Sequence, residues 1–180
     1  MKKTTLLSTL AFAFVMLLTT TVSAQKFSKL DKSPLDVTFY RTDRSKPAFV
    51  KVVYSRPFLK GRELSKLAPN GEVWRTGANE AADITIYKDM KIGGKSIAAG
   101  TYSLFTIPGE KEWTIILSND VNTWGAYTYK EANDVLRITA PVSKDDSSLE
   151  NFSITFESND AGADMYLGWG TTRVAVPFMN

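Results

Sequence analysis

Arginine, glutamate and tryptophan are gathered in one long stretch of this chain, Tyr54–Ala81, which reads YSRPFLKGRELSKLAPNGEVWRTGANEA. It holds Arg56, Lys60, Arg62, Lys66 and Arg75, together with Glu63, Glu72, Glu80 and Trp74. Arg56, Arg62 and Arg75 could converge on a carboxylate, phosphate or sugar acid, which the planar guanidinium fork suits. The competing reading pairs them with Glu63, Glu72, Glu80, Asp83 or loop carbonyls, so that they tie the loop to its scaffold. Trp74, Trp124 and Tyr127 could likewise form a platform for sugar faces, or be buried as anchors, since aromatic rings dominate cores. Trp113 and Trp169 lie in strand-like runs and are expected inside. In Thr76-Gly77-Ala78-Asn79-Glu80, Gly77 is expected to take an unusual φ and Asn79 a left-handed one. Such a turn could present backbone N–H groups to an anion.

Acid–base chemistry is constrained from the start, because the chain has no histidine and no cysteine. A Ser-His-Asp triad, a Cys-His dyad and ordinary zinc sites are therefore excluded. Glu63, Glu72 and Glu80 invite a glycosidase reading, with two carboxylates across a scissile bond, although neighbouring arginines would hold their pKa values down. There is no G-x-S-x-G elbow and no dinucleotide fingerprint. Gly94-Lys95-Ser96 echoes the end of a phosphate-binding loop, but Asp89 stands where the first glycine belongs. Asp145-Asp146 and Asn159-Asp160 do not follow a calcium-loop spacing. No cofactor and no metal is expected.

The elements that must position these residues are short strands between turn signals. Phe49–Tyr54 is a β-branched and aromatic run, and Ile84 and Ile86 alternate with polar residues. Ile92-Gly93-Gly94-Lys95 suits a tight hairpin, since both glycines accept positive φ. Thr101–Ile107 follows Gly100 and ends at Pro108-Gly109, and Trp113–Leu117 completes that hairpin. Further alternation runs through Asp134–Ala140, Phe152–Phe156, Met165–Trp169 and Val174–Val176. The pattern predicts an all-β antiparallel sandwich of roughly eight to ten strands. Only Leu64–Leu67 and Tyr129–Asn133 suggest single helical turns, and Ser143–Ser148 reads as a polar loop.

Met1–Ala24 reads as a signal peptide: Lys2 and Lys3, an apolar stretch from Leu6 to Leu18, and the small-residue site Val22-Ser23-Ala24. The apolar run is short for a membrane span, and no cysteine follows the cleavage site to carry a lipid. Residues 25–180 are then one exported domain, periplasmic or secreted, with a core that must hold without disulfides. Removing two lysines with the leader leaves 20 basic against 19 acidic residues. That balance gives no basic stripe for nucleic acid, and no later segment suits an integral membrane role.

Taken in order, Tyr54-Ser55-Arg56-Pro57, Lys60-Gly61-Arg62, Val73–Ala81 and Ala99–Phe105 resemble the domain-of-unknown-function family 2911. Trp113-Thr114, Trp124-Gly125-Ala126-Tyr127 and Asp134–Arg137 extend the likeness over about Ser33 to Pro177. The resemblance implies an exported protein of Bacteroidota-type bacteria and assigns no activity. One departure is Leu64–Ala68, where members often carry a more apolar segment.

The leading expectation is a non-enzymatic binding or scaffold module for a glycan, an acidic small molecule or an envelope protein. Arg56, Lys60, Arg62 and Arg75 would supply charge, Trp74, Trp124 and Tyr127 stacking, and Asn79 and Glu80 orientation. One alternative is a histidine-free hydrolase with Glu80 as acid or base and Arg75 stabilising negative charge. The other is a purely structural loop plug. Oligomeric state is left open.

Overall fold

A computed structural model describes residues 24–179. The expected leader lies outside the described residues up to position 23. The chain divides into two units, and the first, Met1–Leu30, has no helix or strand over its described residues 24–30. The second begins at Asp31 and carries nine antiparallel strands among the described residues. Among them no helix is long and apolar enough to cross a membrane.

The strands are β1 (Leu35–Tyr40), β2 (Val50–Ser55), β3 (Ala82–Ile86), β4 (Met90–Ile92), β5 (Lys95–Ile97), β6 (Gly100–Ile107), β7 (Glu112–Ser118), β8 (Asp134–Asn159) and β9 (Gly162–Met179). They hydrogen-bond in the order β1-β2-β3-β6-β7-β8-β9-β4-β5. Strand β8 runs for 26 residues and belongs to both layers. Its first part pairs with β7 and its later part with β9. Alternation decides the inside: Val52, Ile84, Leu104, Ile115 and Leu136 from one layer share a core with Ile154, Leu167, Val176 and Ile92 from the other. Burying those chains is the dominant favourable term, at roughly 25 cal/mol per Å² of apolar surface. The sandwich is stitched again beyond β2, where Leu59 N–H donates to the Glu150 carbonyl and Phe152 N–H to that of Pro57.

The turn signals behave as their chemistry demands. Gly93 and Gly94 both take positive φ, 56° and 81°, and join β4 to β5 with Ile92 opposite Lys95. The helical pieces are α1 (Leu64–Leu67) and a 3-10 turn at Glu131–Asn133. One expectation is corrected. Ser143–Ser148 is not a free loop but part of β8, whose pairing with β9 shifts register between Lys144 and Leu149 and again before Ser153. Extra residues in one strand of a pair bend it and strengthen its twist, which is how a polar run stays inside a strand.

Candidate functional site

The nine candidate residues do not form one groove. Arg56, Lys60 and Arg62 sit along the seam with β8, Trp74 enters the core, and Arg75, Asn79, Glu80, Trp124 and Tyr127 gather on the outer face of the first layer. Arg56 is fully committed: Nε donates to the Phe152 carbonyl, Nη2 to Ser153 Oγ at 2.6 Å, and Nη1 pairs with Asp36 at 2.9 Å. Arg62 donates to the carbonyls of Leu59 and Phe58, closing the Lys60-Gly61 turn, where both residues have positive φ. Lys60 offers its backbone N–H to Glu150 Oε1, and its ammonium stands 5.7 Å from the Phe58 ring centroid. Trp74 is 6% exposed, stacks on Trp169 at 5.6 Å and meets Phe152 edge-on at 4.9 Å. Its place among these rings removes it from any platform.

The other group rests on two loops that grip each other. Ala82 N–H donates to the Arg75 carbonyl, pinching off Thr76–Ala81 as a closed excursion from β3. Ala81 N–H donates to the Thr123 carbonyl and Gly125 N–H to the Asn79 carbonyl, and Glu80 bridges Trp124. The turn is built only in part as its composition suggests: Asn79 is left-handed as expected, and Gly77 is not. Positive φ falls on Thr76 (53°) and Asn79 (63°) rather than Gly77. Gly77 is needed for close approach instead, since a Cβ there would lie 3.0 Å from the Ser55 carbonyl oxygen. A β-branched residue at positive φ is a rare, strained state. The Thr76 hydroxyl holds it by hydrogen bonds to the Trp74 carbonyl and Thr106 Oγ1.

Beneath these loops the outer face alternates with the core face, and its rungs can be read across the ladder. Ala81, Phe105 and Ile116 form a small buried cluster, capped by Ala126 and Tyr129. Tyr129 meets Phe105 edge-on at 5.2 Å and donates to Asp134 Oδ2 at 2.6 Å. Burial and the Asp134 carboxylate push the Tyr129 hydroxyl up to about 12. One rung further, Asp83 stands opposite Ser103, which stands opposite Ser118. Arg75 Nε, Asp83 Oδ1, Ser103 Oγ and Thr123 Oγ1 are all buried with no hydrogen-bond partner in the protein. Burial raises the Asp83 carboxyl, and Glu80 adds to this, against the lowering effect of Lys51.

At the surface of this group, Trp124 is 60% and Tyr127 81% exposed. The Tyr127 ring lies against Gly125, where a Cβ would sit 2.7 Å from it and 3.5 Å from Arg75 Nη1. Gly125, at φ 67°, thus lets the ring and the guanidinium meet its backbone. Neither Arg75 nor Glu80 enters an ion pair among the described residues. Asn79 also faces Asp31, whose carboxyl is held low by the Ser33 N–H and then by Asn79. Among the described residues no group of carboxylates is placed to hold a metal. The site can therefore offer a half-buried, unpaired cation beside the exposed Tyr127 ring, in a loop that also exposes Trp124.

A family model described as "Protein of unknown function (DUF2911)" matches residues 33–178. The chain belongs to that family. The DUF2911 match spans every strand from β1 into β9 and so includes both loops of the outer-face group. No curated protein and no solved structure matches the chain. In this DUF2911 member, residue type alone could not reveal Asp83, Ser103 and Thr123. Asp83 and Ser103 occupy strand positions that alternation assigns to solvent, and Thr123 lies in a loop. Asp83 alone has a sequence signal, its place three residues after the conspicuous Trp-Arg-Thr-Gly-Ala-Asn-Glu block.

Proposed function

We propose that this chain is an exported, non-enzymatic binding module that takes a small acidic ligand bearing a sugar or other ring at the Arg75–Trp124–Tyr127 patch. One observation carries the reading: among the described residues Arg75 has no ion pair or hydrogen-bond partner for its guanidinium, although its Nε is buried. Leaving a buried donor unmade costs about 1–3 kcal/mol, so a ligand carboxylate that completes it gains affinity. Trp124 and Tyr127 supply flat apolar faces whose exposure has no role in the core. The hydrolase alternative rests on Glu80, which is exposed; the carboxyl that burial raises is Asp83.

The test is a thermal-shift screen with galacturonate, glucuronate, sialic acid and simple dicarboxylates. Ligand at about 100 times its dissociation constant adds about 2.7 kcal/mol. A rise in melting temperature that disappears in a still-folded Arg75→Ala variant is expected. Silence from every acid, with Arg75→Ala unfolding the protein, would instead make the loop a structural plug.

A further inference from the structure

We propose a second binding site, for a neutral saccharide, in the cleft at the β8–β9 bulge, which goes beyond the acidic-ligand reading and uses none of its residues. The cleft measures about 520 Å³, within the roughly 300–1,000 Å³ typical of ligand sites. It opens where the β8–β9 ladder loses register and Gly170 takes φ 56°, with α1 and the β6–β7 turn as its other walls.

Its charges balance. Two cations line it, Arg62 and Lys144, and both are already engaged: Arg62 by the Leu59 and Phe58 carbonyls, Lys144 Nζ by Thr172 Oγ1 at 3.0 Å. Two carboxylates line it as well, Glu63 and Glu110, and neither has an ion pair or hydrogen-bond partner among the described residues. The charged groups left free are thus acceptors, beside the polar side chains of Ser65, Asn70, Ser148 and Thr171, and a ligand that brings donors without a charge leaves the balance of the four intact. Hydroxyl groups do this, and a carboxylate can accept from two at once.

The floor is aromatic and apolar. Trp113 and Trp169 line it with only their edges reachable, each being 2% exposed. Trp169 spends its indole N–H on the Glu150 carbonyl. The indole N–H of Trp113 has no protein acceptor among the described residues and adds one donor for a sugar oxygen. Apolar ring edges with a few polar groups around them suit a ring that carries several hydroxyls.

Isothermal titration of the purified protein with cellotriose, maltotriose, mannotriose and chitotriose tests the assignment. At least one trisaccharide should bind in the millimolar range or tighter. Glu110→Gln should weaken it by about tenfold, the effect of losing one well-made charged hydrogen bond. Ser65→Trp, an exposed change on the cleft wall, should abolish binding while leaving the melting temperature in place. Arg75→Ala should leave it unaltered, so failure of the acidic-ligand reading cannot mimic failure here. Absence of binding by all four sugars at millimolar concentration, or binding indifferent to Ser65→Trp and Glu110→Gln, would overturn the proposal.

Discussion

Arg56 and Arg75 lie in the same loop and end in opposite conditions. Arg56 meets three acceptors on Asp36, Phe152 and Ser153 across the seam between the layers. Arg75 faces a second loop that offers it a glycine backbone and a tyrosine ring but no acceptor. The difference lies in what the fold places opposite each. The seam needs its strands held together, and β8 presents a carbonyl and a hydroxyl there. On the outer face the Thr123 and Asn79 carbonyls are engaged in loop-to-loop hydrogen bonds. A guanidinium is therefore a rivet at one end of the loop and an open valence at the other.

Substitutions can break this contrast. Trp74→Ala, at the point where the loop dives into the core, should have the largest effect, about 3–5 kcal/mol, as for other buried aromatic truncations. Denaturant unfolding would measure it, and a loss below about 1 kcal/mol would contradict the ring cluster's role. Arg56→Ala should follow at about 2 kcal/mol, because a charged group loses several acceptors at once while remaining partly screened. Arg56→Lys should recover only part of this, since an ammonium cannot make the forked contacts.

How much of this was legible beforehand depends on distance along the chain. The Gly93-Gly94 hairpin, the Pro108-Gly109 turn and the alternation of β3 and β9 are local, and the sequence predicts them directly. The partners of Arg56 lie 20, 96 and 97 residues away, so no spacing rule reaches them. Trp74 and Trp124 occupy similar polar settings in sequence, and their opposite fates follow from which loop crosses β6. Ser143–Ser148 misled because composition reports polarity, and a strand bulging at the rim of a cleft is polar too. Gly77 misled more subtly: glycine was required, for proximity to Ser55 rather than for φ.

A third variant sharpens the contrast through pH. Burial raises the Asp83 carboxyl, so the folded state holds that proton to higher pH than the unfolded chain. Its contribution is therefore present below the unfolded carboxylate value and is lost as pH rises through the folded one. Wild-type should lose ground to Asp83→Asn between about pH 3 and pH 7, by less than the Arg56 effect. Melting curves across that range check the sign, and parallel curves would place Asp83 in contact with solvent. Smallest of all, Arg75→Ala should destabilise the fold by no more than about 0.5 kcal/mol, since no partner is abandoned and an unmade buried donor is removed.

The length of β8 carries one more consequence. A strand of 26 residues that donates its first part to one layer and its later part to the other leaves neither layer a separate existence. Slow amide hydrogen exchange should therefore show a single cooperative block, in which β2 and β9 open together and never one before the other. A protein without a single cysteine gains resistance to partial opening from continuity of backbone alone.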